Sequence, residues 1–330
     1  MIFNNNNNSG STLALVFGTV LIAAIVEPCA SAVAGTSLCA CPVTANLAPC
    51  NVTDLVAADG ASTCSASLDE NGNLNENVRV NSNPKVSAFN LDGVRSVSGF
   101  IWVEGNAALA NISMPDLVSV GRYFKVKAHT AGAVLSTMSL PKLEIITEYF
   151  HVESNTELTA LDVPELNSTG GDFFVNGLTH ETLKNISFAG LKSVGGKFDV
   201  QVMGSTERMN FDSLETIGTD MNIRGNQEIV ELSFSNLKLV GNALLLDNNA
   251  ALVQASLSAL GSVGGAFEVS SNAELISLSI ASLTTVNGKF VVNSNPKLAT
   301  LVGNCNAANT SEDGEAPSSI STPPHSHHVQ

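Results

Sequence analysis

The sequence predicts an all-β protein, a parallel β-solenoid of about nine coils that are each about 23 residues long. Three observations predict this fold. A leucine recurs at a nearly constant spacing, a short segment of alternating apolar residues follows it, and glycine and asparagine recur at fixed places around that segment. Because each coil of a solenoid contacts only its neighbours, the protein offers long outer faces rather than one closed pocket. The repeat therefore favours binding or structural roles over catalysis.

The leucine that opens each coil sets the period. Its positions, with a valine in the first place, are Val94, Leu117, Leu143, Leu166, Leu191, Leu214, Leu237, Leu260 and Leu283. Most steps are 23 residues, and the two longest contain extra residues at 129–133 and 177–182. Insertions confined to one part of a coil predict loops on one side of the solenoid.

After each opening leucine, apolar and other residues alternate with a period of two, which is the pattern of a half-buried strand. The pairs predicted to point inward are Phe124/Val126, Phe150/Val152, Phe173/Val175, Phe198/Val200, Met221/Ile223, Leu244/Leu246, Phe267/Val269 and Phe290/Val292. The residues between and after them are predicted to face solvent, because side chains alternate across a strand. A second apolar pair, such as Leu275/Leu278, closes the coil. Two or three short strands per coil are therefore expected.

Glycine and asparagine form two further series. Glycines precede the strand, where positive φ in a tight turn would favour them, at Gly99, Gly171, Gly196, Gly265 and Gly288. Asparagines follow the strand at Asn106, Asn155, Asn226, Asn249, Asn272 and Asn295, and Asn83 fits an earlier coil. Buried amides can satisfy backbone groups at a turn and bond one another when stacked. We expect this structural role, with ligand contact as the alternative.

Composition limits the classes of partner. The chain of 330 residues carries 30 acidic and 15 basic residues, a net charge of −15, without a basic cluster. This balance argues against nucleic acid and against anionic membrane surfaces as partners. One repeat runs through the middle of the chain, so a single elongated domain over residues 78–305 is simpler than two domains.

The N-terminal residues 1–32 are predicted to be a signal peptide. The apolar run 13–26 is too short for a comfortable membrane span, and Ala30, Ser31 and Ala32 form a small-x-small cleavage site. Residues 1–12 contain no Lys or Arg, which is unusual, so an uncleaved signal anchor is the alternative. After cleavage we expect a secreted protein without direct membrane insertion.

Cysteines cluster between the signal and the repeats, in residues 33–77. Terminal coils of a solenoid need a cap, and we predict a disulfide-stapled cap here. Its candidate cysteines, whose three possible pairings stay open, are Cys39, Cys41, Cys50 and Cys64. The metal-binding alternative is weak because the spacing does not fit zinc, so neither a metal nor a cofactor is expected. Cys305 is left as a free or intermolecular thiol.

Glycosylation sequons also indicate the secretory pathway. They occur at Asn51, Asn111, Asn167, Asn185 and Asn309. Asn111 and Asn185 occupy equivalent positions before an inward Ile, so both should face solvent. The tail 306–330 is acidic, then rich in Ser and Pro, and is predicted to be disordered. No hydrophobic stretch for GPI attachment is visible in it.

The coil pattern Leu-x-x-Val-Gly-Gly-x-Phe-x-Val-x-x-Asn-x-x-Leu-x-x-Leu, as in 260–278, resembles the receptor L-domain repeat, which is leucine-rich-repeat-like. It is especially similar to the fungal cell-wall and sporulation proteins of that group, which are GPI-anchored. The resemblance covers roughly residues 78–305 and implies an extracellular, glycosylated, right-handed β-solenoid with a role in the cell wall or at the cell surface. The absence of a visible GPI signal departs from that family.

One stretch of the outward strand positions combines aromatic residues with positive charge on an otherwise acidic rod. We predict that it contacts a partner, either a cell-wall polysaccharide or an extracellular protein. Its residues, on four consecutive coils, are Trp102, Lys125, Lys127, His151, Glu153, Phe174 and Asn176. The alternative is that a loop or the cap covers Trp102 and Phe174.

The sequence favours a non-enzymatic structural or adhesive module, and the runner-up is a ligand-binding ectodomain. A polysaccharide-cleaving β-helix is less favoured, because such enzymes need clustered carboxylates on one outer face. Only Asp247 and Glu268 come near each other in the predicted columns, as a diagonal pair.

Overall fold

The computed structural model describes residues 54–56, 71–75, 77–82, 86–128 and 134–303. Over these ranges the chain is a right-handed parallel β-solenoid with three short strands per coil and no helix. It follows that no helix able to span a membrane occurs in these ranges. Each coil passes through three sheets in the order C, A, B, and every strand pairs in parallel with its equivalent in the next coil.

Sheet A contains 11 strands and carries the Phe/Val segment of each coil. Numbered along the chain, they are β1 (Asp54–Val56), β3 (Asn77–Asn81), β6 (Ile101–Glu104), β9 (Phe124–Lys127), β12 (Phe150–Glu153), β15 (Phe173–Asn176), β18 (Phe198–Gln201), β21 (Met221–Arg224), β24 (Leu244–Asp247), β27 (Phe267–Ser270) and β30 (Phe290–Asn293).

Sheet B contains 10 strands and carries the second apolar position of each coil. They are β4 (Ala88–Asn90), β7 (Asn111–Ser113), β10 (Thr137–Ser139), β13 (Ala160–Asp162), β16 (Asn185–Ser187), β19 (Arg208–Asn210), β22 (Glu231–Ser233), β25 (Gln254–Ser256), β28 (Ser277–Ile280) and β31 (Thr300–Gly303).

Sheet C contains 10 two-residue strands that follow the opening leucine. They are β2 (Asn73–Leu74), β5 (Ser96–Val97), β8 (Ser119–Val120), β11 (Ile145–Ile146), β14 (Ser168–Thr169), β17 (Ser193–Val194), β20 (Thr216–Ile217), β23 (Leu239–Val240), β26 (Ser262–Val263) and β29 (Thr285–Val286).

The solenoid has about ten coils rather than the nine expected. The additional coil contains β2, β3 and β4, and its opening position is Asn71 instead of leucine, so the leucine series did not count it although Asn83 indicated an earlier coil. At a strand spacing of about 4.8 Å, ten coils form a rod about 48 Å long.

The core confirms the predicted inward positions. Every opening Leu and nearly every inward pair is buried, and Phe290 in the last described strand of sheet A is the partly buried exception. Phenylalanines of sheet A stack from coil to coil, with centroids of Phe150 and Phe173 5.4 Å apart. A second stack runs beside sheet B, where the centroids of Phe188 and Phe211 are 5.7 Å apart. Because each ring packs on its equivalent, the repeat in sequence becomes a continuous core in space.

The reason predicted for the glycines before sheet A is wrong. Among the described glycines, positive φ occurs elsewhere in the coil, for example at Gly105 and Gly225. The glycines before the strand are required because the backbones of adjacent coils approach too closely for a side chain. A Cβ on Gly265 would lie 3.0 Å from the Asn242 carbonyl carbon, and one on Gly218 would lie 2.0 Å from the Gly195 oxygen. Either contact would push two coils apart.

The asparagine series is a buried hydrogen-bonded ladder, as predicted. Asn249 Nδ2 donates to the Ile223 carbonyl at 3.0 Å and to Asn272 Oδ1 at 3.2 Å. Asn249 Oδ1 accepts the backbone N–H of Asn226 at 3.2 Å. Each amide therefore satisfies backbone groups of the preceding coil and joins its own equivalents. Buried Leu178 and Met203 interrupt the ladder.

Residues 177–182, the longer connection between β15 and β16, lie at the corner between sheets A and B, as predicted for an insertion. The other insertion, 129–133, lies outside the described residues, although β9 and β10 flank it at the same corner. Several other predicted features also lie outside the described residues: the signal 1–32, Cys39, Cys41, Cys50, Cys64, Cys305, Asn51, Asn83, Asn309 and the tail 306–330.

Replacing Asn249 by Ala should lower the free energy of unfolding by about 1–3 kcal/mol, because the Ile223 carbonyl and the Asn226 N–H lose their buried partner. Chemical denaturation would measure this change. Replacing exposed Gln254 by Ala is the control and should change stability by less than about 0.5 kcal/mol. An unchanged midpoint for the Asn249 variant would contradict the ladder's role.

Val202 is a β-branched residue with a φ of 51°, in a column where the other described residues with positive φ are Ser, Gly or Asn. Replacing it by Asn, the residue found at Asn248 in the same column, should raise stability by about 1 kcal/mol by relieving the left-handed strain. The matched control is exposed Val230, which is not among the residues with positive φ. Equal gains for both variants would attribute the effect to lost apolar surface instead.

Candidate functional site

The outer face of sheet A brings all seven predicted contact residues together. The outward positions of β6, β9, β12 and β15 form two columns along the rod. One column reads Trp102, Lys125, His151 and Phe174, and the other reads Glu104, Lys127, Glu153 and Asn176. All of these side chains are partly exposed.

The positive charge expected on this face is neutralised within it. Lys125 Nζ lies 2.8 Å from Glu104 Oε2, and Lys127 Nζ lies 2.7 Å from Glu153 Oε2. Each pair joins neighbouring coils. The side chains are only about a fifth exposed, so these pairs are screened less than fully exposed ones. The face is therefore a charge-balanced aromatic surface rather than a cationic patch.

Trp102 is held by side chains of its own face. Its Nε1 donates to Glu104 Oε2 at 2.5 Å. The Arg79 guanidinium lies 5.1 Å from the ring centroid and Lys125 Nζ lies 5.0 Å from it. Such cation–π contacts fix the indole without burying it. In the described part of the chain, cations from the neighbouring coils contact the ring.

The sequence prediction missed a stack of three aromatic rings at the edge of this face. Phe100, Tyr123 and Tyr149 each directly precede a strand of sheet A, and successive centroids are 4.6 Å apart with nearly parallel planes. The chain has one Trp and two Tyr in all, and every one of them lies on this surface. The signal was available, because both tyrosines occupy the same place in consecutive coils. We define the aromatic face as Phe100, which is buried, and the partly exposed Trp102, Tyr123, Tyr149, His151 and Phe174.

Two groups of the aromatic face have perturbed pKa values. Burial lowers the pKa of His151, and Lys125 and Lys127 act in the same direction, while Glu153, whose Oε2 is 3.1 Å from Nε2, opposes them. The imidazole is thus neutral at neutral pH. Burial, with Tyr123 and Glu148, raises the pKa of Tyr149 to about 12, so its phenol stays protonated and able to donate a hydrogen bond.

The C-terminal half of the same sheet face combines the apolar Leu245 and Val291 with polar side chains that pair with one another. Asp199 is buried and forms an ion pair with Lys197 at 2.6 Å. The diagonal carboxylates Asp247 and Glu268 are brought together, because the Ser270 hydroxyl lies 3.1 Å from one and 3.0 Å from the other. No cluster of three His, Cys, Asp or Glu side chains able to hold a metal occurs among the residues described.

The described sequons lie on the other two sheets. Asn111 and Asn185 open β7 and β16, in one outward column of sheet B, as predicted. Asn185 is exposed and Asn111 is partly exposed. Asn167 directly precedes β14 of sheet C. Glycans on these three residues would leave the outer face of sheet A uncovered.

Comparison with known proteins gave no matching family model, no matching curated protein and no matching solved structure.

Acidification should test the environment of His151. Because burial lowers its folded pKa below the ordinary value of 6.5, the unfolded chain binds this proton more readily. The stability contributed is complete above a pH of about 6.5 and is lost as pH falls. The melting temperature of the native chain should therefore drop more between pH 7.5 and 5.5 than that of His151→Gln. Parallel pH profiles for the two proteins would contradict this assignment.

Proposed function

We propose that this chain is a secreted, glycosylated, non-enzymatic module that associates with a cell wall or cell surface and adheres through the aromatic face. The carrying observation is the location of the single Trp and both Tyr on one outer face of consecutive coils. Partly exposed aromatic side chains with polar neighbours are typical of contact surfaces for sugars and proteins.

The distribution of the other surface groups supports this proposal. The three described sequons are on sheets B and C, so glycans attached there would not obstruct sheet A. The ion pairs of Lys125 and Lys127 keep the aromatic face neutral on a chain of net charge −15. A neutral aromatic surface on an acidic rod fits an uncharged partner better than an anionic one.

We also propose a family for this chain and a disulfide-stapled cap at its N-terminal end. The coil pattern supports membership of the receptor L-domain-like group, and the four cysteines of residues 33–77 support a disulfide-stapled N-terminal cap. The alternative function is a ligand-binding ectodomain that recognises a protein. Its specific support is the presence of Trp102, Tyr123 and Arg79 together, because these residue types dominate energetic centres of protein interfaces.

Changing Trp102 and Phe174 together to Ser should leave the fold nearly intact, because both side chains are partly exposed and outside the core. Retention on isolated fungal cell walls, or on an array of glucan, mannan and chitin oligosaccharides, should fall at least about tenfold, which corresponds to about 1.4 kcal/mol. Circular dichroism and thermal unfolding would monitor the fold.

The matched control changes Leu245 and Val291 to Ser. These apolar residues occupy the same outward column of sheet A, farther along the rod. Retention should be unchanged in this variant. Reduced stability with normal retention in the Trp102 and Phe174 variant would show that the aromatic face is structural. Equal loss of retention in both variants would show that binding is not specific to the aromatic face.

A further inference from the structure

The stack of Phe100, Tyr123 and Tyr149 ends abruptly, and its two ends differ. At the first end, the Arg79 guanidinium lies 5.4 Å from the Phe100 centroid. Tyr123 is covered on both sides, because it stacks at 4.6 Å on each neighbour. Beyond Tyr149 the next residue of the column is Asp172, whose carbonyl accepts the Phe150 N–H at 2.9 Å. Among the described residues, no ring stacks on this second side of Tyr149.

The side chain of Asp172 is directed away from Tyr149, towards the following coil. Its Oδ1 accepts the backbone N–H of Lys197 at 2.7 Å. The same oxygen would lie only 2.2 Å from a Cβ on Gly196. Gly171, beside Asp172, also lacks a side chain. By the register of sheet A, the second side of Tyr149 therefore faces Gly171 and Asp172 of the next coil, and Asp172 is exposed. We name these five residues, Tyr149, Gly171, Asp172, Gly196 and Lys197, the Tyr149 step.

We propose that the Tyr149 step binds a single uncharged pyranose unit of a polysaccharide, stacked on the free face of Tyr149 with its hydroxyl groups donating to the Asp172 carboxylate. This inference rests on the proposed function and specifies where on the rod the sugar sits. The interior rings of the stack cannot take this role, because their faces are already occupied by one another.

The chemistry of the step selects the class of ligand. A pyranose has an apolar C–H face that matches a flat aromatic ring, and its hydroxyls form charge-assisted hydrogen bonds with a carboxylate. The Tyr149 phenol stays protonated, since its pKa is about 12, and adds a donor at the rim. Asp172 and the net charge of −15 disfavour uronic acids and sulfated sugars.

The experiment titrates the full chain with hexasaccharides of glucose, mannose and N-acetylglucosamine, using saturation-transfer NMR and calorimetry. Tyr149→Leu keeps an apolar residue in the column but removes the flat ring, and should weaken binding of the recognised hexasaccharide at least tenfold. Asp172→Asn keeps an acceptor for the Lys197 N–H and should weaken it about fivefold. The matched control is Asp220→Asn, two coils further along the same column, where Asp220 Oδ1 also accepts a backbone N–H, from Ala243 at 3.1 Å. This variant should change affinity less than threefold.

The outcomes distinguish a failure of the Tyr149 step from a failure of the proposed function. If the Trp102 and Phe174 variant loses retention while Tyr149→Leu and Asp172→Asn bind normally, adhesion through the aromatic face stands and the Tyr149 step is wrong. Equal weakening by Asp220→Asn and Asp172→Asn, or weakening by Tyr149→Leu that comes with a lower melting temperature, would mean that these residues only support the fold, and would overturn the inference. Absence of binding by the native chain to every hexasaccharide would overturn the step, while adhesion to isolated walls would still test the proposed function separately.

Discussion

Every coil must lie directly on the preceding one at the spacing of parallel β-strands, and the rest of the structure depends on this constraint. It forces each residue to pack against its own equivalent about 23 residues away. Phenylalanines then stack on phenylalanines, as Phe173 does on Phe198 at 5.3 Å. Where the backbones come closest, only glycine fits, as at Gly195 beneath Gly218. The asparagine ladder closes the corner after sheet A, because its amides satisfy the backbone groups that the turn leaves without strand partners.

The same constraint organises the outer surface. Cations pair with acids of an adjacent coil, as Lys238 does with Glu215 at 2.6 Å and Lys142 with Asp116 at 2.7 Å. These exposed pairs each contribute little to stability, about 0–1 kcal/mol. Their main effect is on the distribution of surface charge. They place the few basic residues against acidic ones and leave the excess negative charge spread along the rod. The charge-balanced aromatic face is one result of this pairing.

The inner structure was predictable from sequence because inward positions repeat. A slip of one residue would turn the apolar set outward, so the Phe/Val pairs fixed the register of sheet A. The coil around Asn71 was left out of the count because its opening position lost the leucine, although Asn83 had indicated an earlier coil. The glycines were placed correctly and explained wrongly, since spacing alone does not distinguish positive φ from close approach. The outer face was predictable only in part. Outward residues have no periodic constraint, so the only signal for the ring stack was the recurrence of tyrosine at one place in two consecutive coils, at Tyr123 and Tyr149.

In a solenoid, the side chains of a repeating column contact their own equivalents in the adjacent coils. Groups that can contact a partner therefore occur where a column is interrupted. Phe100 and Tyr123 stack on each other, whereas the residue beyond Tyr149 in this column is Asp172, whose side chain is directed towards the following coil. A second interruption lies one coil further along, where Met203 replaces an asparagine of the ladder and is preceded by strained Val202. Strain of this kind persists only where the surrounding structure imposes it, and here the stacking of coils on both sides does so. Specificity in this protein is therefore to be sought at breaks in the repeat rather than in the repeated residues, whose partners are their own equivalents.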